Sequence, residues 1–330
     1  MDNVAVPGWG RRRLMKSAVL GGAAAAAGLA LPSAALASAR TAGTSPAIDT
    51  SHASPEVARW FSAYFRDKSA ADVDATMAHF DRKPFAYIDA ILGWPFYTWQ
   101  SLRDLFAQVM PTWPGGAKST PTRILGDATS ALVYFTNDAG LFGPSEMRAI
   151  GVVNFEHGRA ARWVDYWDGR HFGIADLDAA KVPDDQFPPD FRESAVGETA
   201  ANRVKRVSAR LNRAFAANDP TAAAALFTPN ASFVDLVSHV QVVGPRHIST
   251  FLAGSRGLLP YTGEGAEVRH VVGSDLGGGY EWTAAGAVPR GVNTLELDKH
   301  GLITSFASMW DGSRVTDDHL LRLAAAAIER

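Results

Sequence analysis

The chain has 330 residues, 32 lysines and arginines against 34 aspartates and glutamates, a formal net charge of -2 and no cysteine. A balance this close to neutral, with its basic residues scattered, gives no electrostatic footprint for nucleic acid. The lack of cysteine excludes disulfides, thiolate metal sites and a cysteine nucleophile, so stability must come from buried apolar surface, which a 47% hydrophobic chain of this length can supply.

The N-terminal stretch reads Gly10-Arg-Arg-Arg-Leu-Met-Lys16, then a weakly apolar Ala/Gly-rich run from Ser17 to Leu31, Pro32, and the small-x-small sequence Ala37-Ser38-Ala39. A basic region, a short apolar core and such a site describe an export signal over residues 1–39. Arginines followed by Leu14-Met15 and Lys16 resemble the twin-arginine signal. That resemblance implies the twin-arginine export machinery as a partner and a secreted or periplasmic location. An ordinary secretory signal and a retained anchor are the alternatives. About fifteen small residues span a bilayer poorly, so no stable membrane insertion is expected after cleavage. Loss of residues 1–39 removes four basic and one acidic residue and takes the formal charge to about -5.

Residues 40–54, rich in Ala, Ser, Thr and Gly, read as a flexible leader. A helix is predicted from Pro55 to Arg66, with Pro55 in its first turn and Val57, Trp60, Phe61, Tyr64 and Phe65 at helical spacing. A short helix near 70–80, a strand at 85–92 and a helix from Trp99 to Val109 follow. Strands are predicted near 121–126, 130–137, 147–156 and 160–167, the last two joined by the turn Glu156-His157-Gly158-Arg159. The Pro/Asp-rich segment 179–199 reads as a linker between a first domain at 55–178 and a second at 200–330. The second domain repeats the order: helices at 200–217 and 220–227, a strand at 231–237, a helix at 246–253, and strands at 266–273, 278–284, 291–298 and 302–310. A closing helix from Asp317 to Glu329 has no counterpart in the first.

The two domains are copies. Phe85-Ala-Tyr-Ile-Asp89 matches Ala231-Ser-Phe-Val-Asp235 at an offset of 146, and Trp113-Pro114 matches Leu259-Pro260 at the same offset. Trp167-Asp-Gly-Arg170 matches Trp310-Asp-Gly-Ser-Arg314 at 143. A period this long is a duplicated domain, since solenoid repeats run roughly 20–50 residues. Helix, helix, strand, helix and then antiparallel strands is an α+β order, and both copies resemble the NTF2-like superfamily, in particular its SnoaL-like and ketosteroid-isomerase-like branch. The resemblance covers roughly 55–175 and 200–316. It implies two tandem cone-shaped rolls, each a curved sheet wrapped around helices, arranged as an internal pseudo-dimer in a monomer or a homodimer. It does not fix the activity, because this scaffold hosts isomerases, cyclases, dehydratases, epoxide hydrolases and plain binding domains.

Asp89 and Asp235 are the first candidates for chemistry. Alternation along a strand puts Asp89 with Phe85, Tyr87 and Ile91, and Asp235 with Phe233, Val237 and His239. An aspartate among apolar side chains resists ionisation, which suits a general base near neutral pH. The isomerase branch has its proton-shuttling aspartate at this place. The same residues also suit a structural cap at the strand end. The rest of the isomerase constellation is replaced: its tyrosine position falls on Leu211 in the second copy, with Tyr64 nearby in the first, and its protonated aspartate falls on Gly151 and Asn293.

Trp163, Asp165 and Trp167 share a strand face in the first copy, where the second has Phe306, Ser308 and Trp310. Asp165 is thus a second carboxylate belonging to the first copy alone. It either shares a pocket with Asp89, with burial and repulsion separating acid from base, or faces outward toward Arg162 or Arg148. Asp235, His239, Glu264 and Glu267 invite a weaker comparison with tandem polyether epoxide hydrolase/cyclases. The side chains expected to shape pockets are Tyr64, Tyr87, Trp94, Trp99, Tyr134, Trp163, Phe233 and Trp282, with packing as the alternative for the Trp94–Trp99 cluster. No metal site and no cofactor is expected, since the histidines show no ligand spacing and Gly277-Gly278-Gly279 is a hairpin rather than a phosphate cradle. The expectation is an exported, cofactor-free acid–base enzyme, an isomerase, cyclase or dehydratase, acting on a small apolar or polycyclic molecule. Its rival is a secreted binding protein.

Overall fold

The computed structural model describes residues 47–328. The expected signal and the first part of the expected leader lie outside the described residues. The protein is an α+β chain of two rolls, each built on its own curved sheet.

In the first roll, β1 (Asp49–Ala53), α1 (Pro55–Ser69), α2 (Val73–Ala78), β2 (Ala86–Asp89), β3 (Trp94–Phe96) and α3 (Trp99–Val109) precede four long strands. These are β4 (Ser119–Gly126), β5 (Ser130–Asn137), β6 (Met147–Glu156) and β7 (Arg159–Trp167). The sheet order is β1-β4-β5-β6-β7-β2-β3. After α4 (Ile174–Ala180) and α5 (Glu193–Val196), the second roll runs α6 (Asn202–Ala216), α7 (Pro220–Ala224), β8 (Phe227–Asp235), β9 (Val240–Val243) and α8 (Pro245–Gly254). It continues with β10 (Glu267–Ser274), β11 (Gly277–Thr283), β12 (Arg290–Leu297), β13 (Ile303–Trp310) and α9 (Asp317–Ala326). Its sheet order, β10-β11-β12-β13-β8-β9, repeats the first roll without β1. Both long meanders are antiparallel, while β2 joins β7 and β8 joins β13 in parallel. Among the described residues no helix is long and apolar enough to cross a membrane.

Local chemistry explains the element ends. Ser54 accepts the Val57 amide at the start of α1 with Pro55 next to it, Thr98 caps α3, and Asp219 with Pro220 opens α7. Three features depart from the sequence reading. Residues 49–53, inside the expected leader, form β1, whose pairing with β4 covers an otherwise open sheet edge. The expected strand at 85–92 is cut at Asp89 by a turn at Gly93 that sends the chain back as β3. The strand expected at 231–237 begins at Phe227 and ends at Asp235, leaving Val237 and His239 in the following turn.

Period-two alternation sorts each sheet's side chains to two destinations. Val133 and Phe135 join the helix-side core of the first roll, whereas Leu132, Ile150, Val164 and Tyr166 join the core continuous with the second roll. The sheets meet on that second face. There Arg162 of β7, fully buried, donates to Glu281 of β11 at 2.6 Å and to the Phe191 carbonyl at 2.7 Å. The Tyr166 hydroxyl reaches the other Glu281 oxygen at 2.8 Å, and His270 meets Asn154 at 3.0 Å. The duplicated Trp-Asp-Gly turns also touch. A Cβ on Gly169 would lie 2.5 Å from Asp311 Oδ1, and one on Gly312 would lie 2.8 Å from Asp168 Oδ1. Glycine is needed in both because each turn backs onto the other's aspartate. This is the internal pseudo-dimer. The segment 179–199 is bolted along it, with Phe187 under Arg290 and Phe191 under Arg269.

Arg162 and Glu281 are both without solvent contact, and Glu193, partly exposed and 3.8 Å from Arg162, is a poor substitute, so removing one of the pair leaves a buried charge badly partnered. Glu281→Leu is expected to lower unfolding free energy by about 3–5 kcal/mol, and Arg162→Met/Glu281→Leu to recover at least half of that. Urea denaturation of the three proteins checks this; a double variant as unstable as the single one would show that packing, rather than charge, sets the cost.

Candidate active site

The first roll holds an apolar cavity of about 70 Å³ on the helix side of its sheet. Phe106 and Leu105 of α3, Trp94 and Phe96 of β3, and Phe135 and Met147 of the meander form much of its wall. Into it face Asp89, Asp165, Tyr87, Asn137 and Lys68. The parallel register explains why the two carboxylates meet. Asp89 of β2 lies directly opposite Asp165 of β7, as Tyr87 lies opposite Trp163, and residues opposite each other in a ladder share a face.

Each carboxylate is held differently. Asp89 Oδ1 accepts the Ile91 and Leu92 amides at 2.9 and 2.8 Å, closing the turn after β2, and its Oδ2 accepts Trp167 Nε1 at 3.0 Å. Burial, aided by the charge of Asp165, pushes the Asp89 carboxyl up to about 7 against those three hydrogen bonds. Asp165 receives the Tyr87 hydroxyl on Oδ2 and Trp163 Nε1 on Oδ1. Burial raises its carboxyl too, while Tyr87, Lys68 and Trp163 hold the rise in check. Lys68, at the end of α1 and 2% exposed, makes no hydrogen bond or ion pair among the described residues. Its ammonium lies 5.1–5.9 Å from the ring centres of Tyr64, Phe65, Phe135 and Phe142. Burial lowers it to about 8, with Asp165 pulling the other way. The arrangement offers a carboxyl poised near neutrality, a second carboxylate beside it, and an amine that can change its charge state.

Not all the expected residues belong here. Tyr64 is fully buried behind the cavity, stacked on Trp60 and set against Trp163. Trp163 lies behind Asp165 and positions it. Trp99 turns away, donating to the Met77 carbonyl at 3.0 Å under Arg82. Tyr134 is on the opposite sheet face, bonded to Thr294 across the seam. Phe233 and Trp282 are core residues of the second roll, Phe233 stacked 4.4 Å from Phe306. The outward alternative for Asp165 is overturned, because Arg162, three residues away, points to the other face.

The second roll is closed where the first is open. Asp235 is fully buried, its oxygens taken by the Ser238 amide (2.8 Å), the Ser238 hydroxyl (2.7 Å), Tyr261 (3.2 Å) and Trp310 Nε1 (2.9 Å). Its register partner is Ser308, not a second carboxylate. Phe215 ends α6 where Lys68 ends α1, and 146 residues before Tyr261 stands Gly115. Asp235 and His239 do not act together. His239 sits in a left-handed turn, which takes it off the strand face, and it lines a groove of about 350 Å³ between the rolls with His171 and Asp168. Glu264 and Glu267 are exposed, so Asp235 has no acidic partner from them. Among the described residues no cluster of three His, Cys, Asp or Glu side chains could hold a metal ion.

Sequence reasoning missed Lys68, Asn137 and the role of Trp167. Lys68 did carry a signal: it lies three, four and seven residues after Phe65, Tyr64 and Phe61, in the apolar stripe of α1.

No family model matches the sequence, and no curated protein is similar to it. Solved structures are similar to parts of it. A steroid delta-isomerase from Pseudomonas aeruginosa matches at 16% identity over 40% of this chain and 93% of its own, with a TM-score of 0.31. NTF2-like proteins of unknown function from Cytophaga hutchinsonii and Burkholderia xenovorans match at 9% and 14% identity, over 34% and 44% of this chain and 88% and 96% of theirs, with TM-scores of 0.28 and 0.29.

Between about pH 4 and pH 7 the folded protein keeps a proton on Asp89 that the unfolded chain releases. Folding stability from this group is therefore full below pH 4 and is lost as pH rises through 7, by up to about 4 kcal/mol at roughly 1.4 kcal/mol per pH unit. Asp89→Asn is expected to flatten that part of the slope. Urea titrations of both proteins at pH 4, 5.5 and 7 measure it, and parallel slopes would place Asp89 at an ordinary carboxylate value.

Proposed function

We propose that the first roll is an acid–base enzyme, an isomerase, cyclase or dehydratase working with its own side chains on a small apolar molecule, and that the second roll is its structural partner. One observation carries the reading: Asp89 and Asp165 face each other across the β2–β7 ladder in one apolar cavity. Two buried carboxyl groups beside a cation separate into a proton acceptor and a group held in one state. Asp89, near 7, takes a proton from a carbon or oxygen of the substrate. Asp165, positioned by Tyr87 and Trp163 and balanced by Lys68, keeps charge beside it, and the proton held on Asp89 returns to the substrate at another atom. The aromatic wall excludes water, which strengthens each of these interactions. We read residues 1–39 as an export signal and propose that the reaction takes place outside the cytoplasm.

The signature of such a site is proton exchange at carbon. The protein is incubated in deuterium oxide with small apolar ketones such as butanone and cyclopentanone, and α-proton loss is followed by NMR. Exchange is expected to rise with pH around a midpoint near 7, to fall roughly 10²–10⁴-fold in Asp89→Asn, and to be unchanged in Glu267→Gln, whose side chain is exposed on the other roll. Equal rates from wild type and Asp89→Asn would remove Asp89 as the base. Retention of ketone without exchange would mark a binding protein.

A further inference from the structure

We propose that Lys68 is a carbonyl-capturing nucleophile, whose amine condenses with a small apolar aldehyde or ketone in the first roll's cavity to give an imine. The inference rests on that cavity being the active site. Three observations point to it. The side chain is 2% exposed and has neither a hydrogen-bond acceptor nor an ion-pair partner among the described residues, although a buried ammonium ordinarily has one. Its end lies on the cavity wall among aromatic rings and within the field of Asp165. The second roll, where buried Tyr261 packs against Phe215 and reaches Asp235, has Phe215 at the corresponding helix end, so the lysine is not required for the helix to pack.

Desolvation of a lysine is what makes its amine available as a nucleophile at neutral pH. With its proton lost at about 8, roughly a tenth of Lys68 is the free amine at pH 7, against well under a thousandth of an ordinary lysine. The Nζ lone pair attacks the carbonyl carbon, and the oxygen takes a proton from the carboxyl of Asp89. The carbinolamine nitrogen passes a proton to Asp165. The C–O bond then breaks, the hydroxyl taking that proton from Asp165 and leaving as water, and the C=N bond forms as a protonated imine. One amine and one carbonyl give one imine and one water, with no outside oxidant or reductant. The electron-poor C=N bond acidifies the adjacent carbon, and the ionised Asp89 can then remove its proton. Hydrolysis reverses the sequence. This defines the substrate class as aldehydes and ketones bearing an α-hydrogen and an apolar body small enough for the cavity.

The full-length protein is treated with pentane-2,4-dione, which forms a conjugated, near-ultraviolet-absorbing adduct with an amine, and separately with propanal followed by borohydride, which fixes an imine. Intact mass and peptide mapping then locate the modified lysine. The expected result is one adduct on Lys68, of probe less water for the dione and of probe less water plus two hydrogens for reduced propanal, formed at least ten times faster than on the exposed Lys83, Lys118 and Lys299. Lys68→Met should abolish it; if that variant does not fold, the mapping on wild type still decides. Labelling of Lys68 no faster than of the exposed lysines overturns the proposal. Deuterium exchange by the same samples separates the two readings. Exchange that depends on Asp89 without any Lys68 adduct leaves the acid–base site standing and removes the imine. A Lys68 adduct with exchange indifferent to Asp89→Asn keeps the imine and removes Asp89 as the base.

Discussion

The buried contact between Arg162 and Glu281 determines how the rest of the molecule can be arranged. Strand β7 carries charge on both faces: Arg162 toward the second sheet and Asp165, three residues on, toward the helix-side cavity. A strand loaded in this way cannot lie against solvent on one side and a plain hydrophobic core on the other. The cost of burying either charge exceeds what apolar packing of a few neighbours returns, unless each finds a partner. The second roll supplies Glu281 to one face, and the first roll's own α1 places Lys68 near the other. Docking of the two sheets thus supplies the partner that lets β7 bury Arg162 on the face away from the cavity. Tyr166 and the Phe191 carbonyl satisfy two of the polar atoms that the ion pair leaves over, while Arg162 Nη1 stays buried without a hydrogen-bond acceptor among the described residues.

The two rolls have the same sheet order, apart from β1, and set Asp89 and Asp235 at matching places, and differences at a few positions around them separate the two. Asp89 and Asp235 keep one architecture: each closes the turn after its strand with backbone amides and receives the indole of the Trp-Asp-Gly turn. That shared part is what the turn needs in order to form. The first roll adds Asp165 and Lys68. The second has Ser308 and Phe215 at those places and fills the space with Tyr261, whose hydroxyl ends on Asp235. An aspartate that is structural in both copies becomes a candidate base in one, because only there does the surrounding space stay open and hold a second carboxylate.

The repeated motifs made the architecture readable from sequence. The strand limits of β5 and β6 and the helix limits of α3 fall where alternation and helical spacing put them, because those segments bury one periodic face. The short strands β3 and β9 and the strand β1 were not readable. Two of them have three or four residues, and the third owes its conformation to a parallel neighbour about 70 residues away. At the site, Asp165 was found by comparing the copies, but alternation with Trp163 and Trp167 left its direction open, and the burial of Arg162 against Glu281 on the other face is what shows that it points inward. His239 was misplaced for the same reason that β8 was: with the strand starting four residues early, its end came at Asp235, and the left-handed turn broke the alternation that tied His239 to it. Tyr134 and Trp282 show the limit of residue type as a guide. A tyrosine on a strand has two possible faces, and only the docking of the second sheet decides that Tyr134 meets Thr294 instead of a ligand.

The three ionisable groups of the cavity have to be considered as one system. Burial raises both carboxyls and lowers the amine, so desolvation alone would leave all three neutral. Coupling prevents that outcome selectively. Tyr87, Trp163 and Lys68 favour the anion of Asp165, and the Asp165 charge in turn favours the ammonium of Lys68 and the protonated form of Asp89. The result is a site in which Asp165 biases the charge of its neighbours, while Asp89, near 7, and Lys68, near 8, titrate close to neutrality. A bound apolar ligand adds desolvation to all three. It moves Asp89 further toward the acid and Lys68 further toward the free amine, the two states that capture of a carbonyl compound requires.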